Sequence, residues 1–550
     1  MKGILFVQFC LLINLCSFSD GFSGTSKSEL DYSRRILLDN NNWKIAVDSQ
    51  NIGIQKKWFK SPPVKDEQST PIPWIIQDIF HNYHGVAWYW CEFDTPQKTI
   101  KNGHYVLKFQ TVDYKGDIWI NGEYIGNHEG SETSFEFDVT KNLKKEGSNL
   151  LVVRVLNPTY EPIDGIALKE TPSGARNYPF GGNASYNTGG ITGDVEIYEK
   201  STVQINNMYI LPDWKTGNVK VQIPVLNQNT KEIKSSLLIN ISEIRSELPV
   251  LVKKFDQNIK QGRDTLNYEV SVSDFKLWSI ENPNLYRMSV SVEYSNSADE
   301  CVTRFGFRDF RFKDGYFQLN GKRIFLKGSN FSTHYPIGVY VPPDEEMLRR
   351  DVINMKALGF NFVRIPFGCP NHRVLDIYDE LGIMVLQEHF GSWQMGEYGK
   401  YESVKQDDSE TKMVNRFKNS IVSVVERDRN HPCIVMWGML NETRNEAILN
   451  QAVRLLPHLR SLDPLRIFVL NSGRFDNMTD IGSMSNSGSS KWDIYDKDLK
   501  DWHPYVWMPY KPDVLDELSG KKQTDNQKVF PTETGLCFPL DLPSDLGEYQ

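Results

Sequence analysis

The sequence predicts a multidomain β plus α/β protein: a jelly-roll sandwich, an immunoglobulin-like sandwich, then a (β/α)8 TIM barrel that is truncated at its C-terminal end. Three observations carry this reading. The chain has 550 residues, which at roughly 150 residues per domain suggests three or four domains. Up to residue 304, short and often alternating apolar runs are separated by polar turns, as in stacked sheets. From residue 305, short apolar runs alternate with amphipathic stretches, as in parallel strands covered by helices.

Composition narrows the function classes. Apolar residues make up 39% and charged residues 24%, ordinary for a folded protein. The 13 Trp, 24 Tyr and 29 Phe can build large cores, which argues against a disordered chain. Basic residues number 62 and acidic residues 70, so the net charge is 62 − 70 = −8. Such a chain has no global attraction for a polyphosphate, and nucleic acid is not an expected partner.

Residues 1–23 read as a secretory signal. Met1-Lys2 gives a short positive start, the run from Gly3 to Phe18 is apolar, and Ser17 and Ser19 are small residues suited to cleavage. An uncleaved anchor is the alternative. No later stretch is long and apolar enough to span a bilayer, so the mature chain is expected to be soluble, secreted or periplasmic. Two of the seven cysteines, Cys10 and Cys16, fall in this segment. The other five, Cys91, Cys301, Cys369, Cys433 and Cys537, are widely spaced and form no metal-binding pattern. No cofactor is expected, and a metal near the site and homo-oligomerisation are left open.

Residues 24–200 form the first sandwich, with strands in Tyr105–Gln110, Asp117–Ile120, Ser134–Val139 and Asn149–Leu156 and turns at Asn121-Gly122 and Gly189-Gly190. Trp88, Trp90 and Trp119 sit at alternating positions, which favours a core role over a sugar-binding face. Residues 201–304 form the second sandwich, with shorter strands in Val203–Ile205, Val219–Val225, Ser235–Ile241 and Tyr286–Val292.

Residues 305–550 form the barrel. Its strands are expected in Arg323–Gly328, Phe360–Ile365, Gly382–Glu388, Cys433–Glu442, Arg466–Ser472, Trp502–Val506 and Lys528–Glu533. Helices fill Asp344–Leu358, Asn371–Leu381, part of Glu410–Asp428 and Glu446–Leu462. That makes seven strands; the last ends near Gly535, leaving 550 − 535 = 15 residues, too few for an eighth strand and helix. A truncated sequence is the favoured explanation and a missed strand the alternative. Barrel enzymes place their chemistry at the C-terminal strand ends. The polar residues there are Asn330, Arg364, Glu388, Asn441-Glu442, Asn471, His503 and Glu533.

Two strand-end glutamates suggest a reaction. Glycoside hydrolysis needs one protonated carboxyl to help the leaving oxygen depart and one ionised carboxylate opposite it. Glu442 closes the fourth strand and Glu533 the seventh, 533 − 442 = 91 positions apart, with room for three βα units between them.

The ordered motifs of the chain resemble glycoside hydrolase family two, the group of β-galactosidases, β-glucuronidases and β-mannosidases. Thr111–Gly126, with Asp117-Ile-Trp-Ile-Asn-Gly, looks like the hairpin of that family's sugar-binding domain. Gly189-Gly-Ile-Thr-Gly-Asp-Val-Glu-Ile resembles the exit from it, and Leu277-Trp-Ser-Ile-Glu-Asn-Pro-Asn-Leu-Tyr the turn before the last sandwich strand. Phe305-Gly-Phe-Arg, Leu319-Asn-Gly-Lys, Leu326-Lys-Gly, Met355-Lys-Ala-Leu-Gly-Phe-Asn-Phe-Val-Arg and Asp379-Glu-Leu-Gly-Ile resemble the barrel entry and its second and third strands. Trp437 through Asn441-Glu442 resembles the acid/base motif.

The resemblance implies roles. Glu442 becomes the acid/base and Glu533 the nucleophile. Asn441 is implied to bind the sugar 2-hydroxyl, Arg364 to brace the nucleophile, and His503 or Tyr505 to orient it. Glu388 is implied to touch substrate or a metal. Asn330, His334 and Trp437 complete the substrate-binding candidates, Trp437 as pocket wall or packing. There are departures: Thr534 replaces the usual aromatic after the nucleophile, and Ile365-Pro-Phe-Gly-Cys-Pro stands where many members have Ser-His-Tyr-Pro, so His334 or His389 would have to replace that histidine. The expectation is a retaining exo-β-glycosidase acting on a carbohydrate substrate; a catalytically inactive, carbohydrate-binding member is the alternative.

Overall fold

A computed structural model describes residues 35–533, apart from 40–41, 64–66, 98–99, 101–102, 160, 169–170, 172–186, 295–296, 331–344, 367–368, 393–411, 444–445, 474–480, 496–498, 502, 504–511, 514–515 and 517–527. The signal-like segment, His334, Tyr505 and Thr534 lie outside the described residues.

Two antiparallel sheets make the first sandwich. One has four strands, in the order Arg35–Leu37, Val195–Lys200, His104–Phe109 and Phe135–Asp138. The other has six, with Gly85–Asp94 and Ser148–Asn157 at its centre. Trp43, Ile45, Leu107, Val153 and Ile197 fill the space between them. Asn121 (φ 52°) and Gly122 (φ 82°) supply the two left-handed residues that a tight hairpin demands. Trp88, Trp90 and Trp119 are buried on the far face of the larger sheet, under Trp58 and Phe59. They are core, as their alternation suggests.

The second sandwich also has two four-stranded sheets. Here the expectation of short strands holds only in part: Val203–Ile205 is short, but six of the eight strands have 9–11 residues. Pro249–Ile259 and Gly262–Ser271, with 11 and 10 residues, went unread. Both are edge strands with mostly exposed residues, so their apolar signal is weak. Trp278, fully buried, donates its indole N–H to the Asp379 carbonyl at 2.9 Å, and Arg308 donates to the carbonyls of Pro432, Leu465 and Ile434. These bonds tie the sandwich to the underside of the barrel.

The barrel runs β1 (Gly328–Asn330), α1 (Glu345–Ala357), β2 (Phe362–Ile365), α2 (His372–Leu381), β3 (Met384–Ser392), α3 (Lys412–Asp428), β4 (Ile434–Asn441), α4 (Glu446–Leu462), β5 (Ile467–Ser472), β6 (Leu499–Asp501) and β7 (Lys528–Phe530). Strands β1 to β5 are parallel neighbours in order, and β6 pairs with β7, also in parallel. Every residue of β4 and β5 is buried, as expected of strands covered on both faces. Helix α2 shows how the boundaries arise. The Asn371 side chain accepts the Arg373 amide at 3.0 Å, and Gly382 ends the helix at φ 73°, where a Cβ would strike the Ile280 carbonyl.

Two barrel expectations are corrected. The first strand is Gly328–Asn330, displaced toward the C-terminus, because Ile324–Lys327 make no ladder. Glu388 lies within β3 and does not end it. Of the expected sixth strand, Trp502–Val506, only His503 lies among the described residues; Leu499–Asp501, just before it, forms β6. A two-residue strand, Met484–Ser485, pairs antiparallel with β5, and no strand follows β7 among the described residues.

Candidate active site

The charged residues converge where the C-terminal ends of β2, β3, β4, β6 and β7 meet. Arg364, on β2, is their hub and is almost fully buried. One terminal nitrogen donates to Glu533 Oε2 at 2.8 Å and to the Thr532 carbonyl at 3.3 Å. The other donates to Glu388 Oε2 and to Asn441 Oδ1, both at 2.7 Å. Burial works against the guanidinium charge, yet Glu388 and Glu533 hold the group above its usual range. The planar fork lets one cation serve two carboxylates at once.

Glu388 has no solvent exposure and sits where Gly438 of β4 leaves room; a Cβ there would come within 3.1 Å of three Glu388 atoms. Burial pushes its carboxyl up to about 7, against the pull of Arg364. A carboxyl raised in this way stabilises the fold while it is protonated. That contribution is complete below the ordinary value of 4.5 and is lost as pH rises through about 7. Glu388→Gln, neutral throughout, is expected to flatten the loss of stability over this window by about 2–3 kcal/mol. Urea melts at a series of pH values check this; a slope equal to wild type would assign the titration to another group.

The acid/base candidate has an unusual backbone. Glu442 adopts φ 48°, a left-handed conformation that non-glycine residues avoid, and its amide donates to the Ser472 carbonyl at 2.9 Å. The turn brings its carboxylate over the rim, where Oε1 lies 2.6 Å from His503 Nδ1. The same ring nitrogen is 3.7 Å from Glu533 Oε2. Gly473, at φ 69°, gives the imidazole its space, since a Cβ there would collide with the ring. Behind the ring, Nε2 lies 2.8 Å from Thr532 Oγ1, which donates to Asp501 Oδ1 at 2.6 Å. Burial raises the Asp501 carboxyl, with His503 and Thr532 pulling it back.

The structure therefore brings together Arg364, Glu388, Asn441, Glu442, His503 and Glu533. Asn330, on β1, is exposed and pairs in register with Arg364 of β2. Trp437 is packing and not pocket wall: it is buried, and its indole donates to Asp463 Oδ2 at 2.8 Å. His389 also faces outward, with Nε2 2.9 Å from Ser420 Oγ on α3, so it does not replace the missing rim histidine. Thr532, Asp501, Gly438 and Gly473 went unread as site residues. Thr532 stands directly before Glu533, and Asp501 within Asp501-Trp-His, which are the only sequence hints for them.

Among the described residues, two clusters have the donor set for a cation. Glu442, His503 and Glu533 offer atoms all within 4.8 Å of one another, as do Asp379, His431 and Cys433 beneath the barrel. In the second, Asp379 is already engaged by the Cys433 amide at 2.8 Å and His431 Nδ1 at 2.6 Å.

Two sandwiches followed by a barrel, with carboxylates gathered on one guanidinium at the strand ends, define a modular TIM-barrel protein with its charged site at the C-terminal rim. Three models of a single family match it in succession: the sugar binding domain of glycosyl hydrolases family 2 over residues 62–201, a family 2 segment over 203–308 and the family's TIM barrel domain over 310–522. The chain belongs to glycosyl hydrolases family 2. It is 26% identical over 478 residues to a β-galactosidase of Thermoanaerobacterium thermosulfurigenes, covering 83% of this chain and 62% of that protein. It is 26% identical over 508 residues to a putative β-glucuronidase of Formosa agariphila, covering 88% and 43%. The chain thus spans less than two thirds of the length of these relatives. The solved structure of a Bacteroides uniformis β-glucuronidase shares the fold, with a TM-score of 0.69 at 21% identity over 90% of this chain and 58% of that one.

Proposed function

We propose that the chain is a retaining exo-β-glycosidase that removes terminal β-linked sugars by double displacement. The observation that carries this is the pair of glutamates: carboxylate oxygens of Glu442 and Glu533 lie within 4.8 Å of each other. Retaining enzymes hold their carboxyls about 5–5.5 Å apart, whereas inverting ones leave about 6.5–9.5 Å for a water. The electrostatics assign the roles. Arg364 neutralises Glu533, which suits an ionised nucleophile. Glu442 meets an imidazole, His503 Nδ1 at 2.6 Å, which suits a group that gives and takes a proton. Glu533 attacks the anomeric carbon while Glu442 protonates the departing oxygen. Glu442 then takes a proton from water, whose oxygen displaces Glu533.

Asn441, held by Arg364, and Asn330, paired with Arg364 from the neighbouring strand, are our candidates for contacts to the sugar. The relatives' names point to galactosides and glucuronides as the first substrates to try. We also read residues 1–23 as an export signal, which places the enzyme in the periplasm or outside the cell.

The test is a panel of aryl β-galactoside, glucuronide, mannoside and glucoside substrates, followed by a 2-deoxy-2-fluoro analogue of the sugar turned over. Expected is a covalent adduct on the peptide containing Glu533. An adduct on another carboxylate would reassign the nucleophile, and sugar binding without turnover across the panel would select the inactive alternative.

A further inference from the structure

We propose that the catalytic proton of the acid/base is stored in the bond between Glu442 and His503, and is kept there by a hydrogen-bonded chain through Thr532 to the buried Asp501. The proposal rests on the glycosidase reading and adds to it three positioning residues: His503, Thr532 and Asp501.

Counting protons along the chain sets its direction. Thr532 Oγ1 lies 2.6 Å from Asp501 Oδ1, and the Thr532 amide points at the same oxygen from 3.4 Å. An oxygen that faces two donors from one residue is an acceptor, so the threonine hydroxyl proton points at Asp501. That proton is the only one the hydroxyl has. Toward His503 Nε2, at 2.8 Å, Thr532 Oγ1 can therefore only accept, and Nε2 must carry hydrogen. A neutral imidazole protonated on Nε2 has a bare Nδ1. Nδ1 sits 2.6 Å from Glu442 Oε1, and two bare acceptors repel at that distance. One proton must lie between them, whether it is written on the carboxyl or on the ring.

That proton is the one needed by the leaving group. In the first displacement it passes to the glycosidic oxygen as the bond to the anomeric carbon breaks and a Glu533 oxygen takes that carbon. Glu442 is left as a carboxylate beside a bare Nδ1. In the second displacement a water gives one proton back to this pair, its oxygen bonds to the anomeric carbon, and Glu533 departs ionised. Atoms and charge balance, and Nε2 keeps its proton throughout. Burial supports the device: Asp501 is 3% exposed, His503 and Thr532 both 8%, so bulk water has little access to reset the tautomer. Among the described residues, Glu442, Glu533 and Asp501 face the ring, with Arg364 behind Glu533.

Thr532→Val breaks the chain without touching a carboxylate. The ring is then free to carry its proton on Nδ1 and donate it to an ionised Glu442, which leaves no acid proton. The loss should depend on the leaving group. With the sugar that the panel turns over fastest, kcat/KM for the phenyl glycoside should fall about 100-fold, the worth of general acid help. The 2,4-dinitrophenyl glycoside needs no acid help and should lose less than about tenfold, and Thr532→Ser should restore both rates to within about threefold. Equal losses on the two substrates, or a phenyl glycoside rate like wild type, would overturn the proposal. A second readout does not need activity. In 15N-histidine-labelled protein, with His503→Gln to assign the signal, Nε2 should be protonated in the wild type and bare in Thr532→Val. A wild-type His503 with bare Nε2 refutes the chain. If wild type hydrolyses no glycoside of the panel, the glycosidase reading falls and this spectrum alone judges the chain.

Discussion

Glu533→Gln should abolish turnover of every aryl β-glycoside the protein accepts, with kcat down by roughly 10⁵-fold or more, because no second group can form the covalent intermediate. A loss of that size is about 7 kcal/mol of transition-state stabilisation. The fold should survive it: the amide has the shape of the carboxylate, and its oxygen can still accept from Arg364, 2.8 Å from the present Oε2. A melting temperature within a few degrees of wild type would separate lost chemistry from lost structure. Stereochemistry sharpens the test. Glu533→Ala with added azide should give the inverted α-glycosyl azide, whereas Glu442→Ala with azide should give the retained β-glycosyl azide, because azide then replaces water on the glycosyl-enzyme. Residual kcat above about one per cent in Glu533→Gln, or products of the opposite configuration, would sink the assignment of roles.

Much of this site was legible because barrel topology turns sequence position into geometry. A polar residue ending a buried apolar run must point out of the C-terminal rim, so Arg364, Asn441, Glu442 and Glu533 could be placed before any distance was known. What was not legible follows from the same physics. His389 directly follows Glu388, but alternation along β3 turns it to Ser420 of α3, and the Trp437 indole is held by Asp463. Thr532 and Asp501 act only through a neighbour, and nothing in their identity separates a relay from an ordinary polar side chain. Gly438 and Gly473 matter for what they lack, and space left for Glu388 and His503 is visible only in three dimensions. The long edge strands of the second sandwich were missed because only one face of each meets the core.

Arg364→Met is the substitution with the largest expected effect on stability and activity together. The guanidinium is 2% exposed and holds two carboxylates and a carboxamide within 2.7–2.8 Å. Removing one partner of a buried ion pair leaves an uncompensated charge, at a cost of about 3–5 kcal/mol. Glu388 has a way out, since burial already raises its carboxyl to about 7. Stripped of its cation it takes a proton at neutral pH, so the measured loss should sit near the low end at pH 6 and grow toward pH 8.5. Activity follows the other carboxylate. Attack requires Glu533 to be ionised and aimed, and without Arg364 it is neither favoured nor held, so kcat should fall about 10³-fold and the acid limb of the pH profile of kcat/KM should move to higher pH. Arg364→Lys separates charge from geometry. A lysine restores a cation but not the fork that reaches Glu388, Asn441 and Glu533 together, so stability should recover further than kcat. Equal recovery of both, or an Arg364→Met protein that melts within about 2 °C of wild type, would show that the hub is not where the site's charges are balanced.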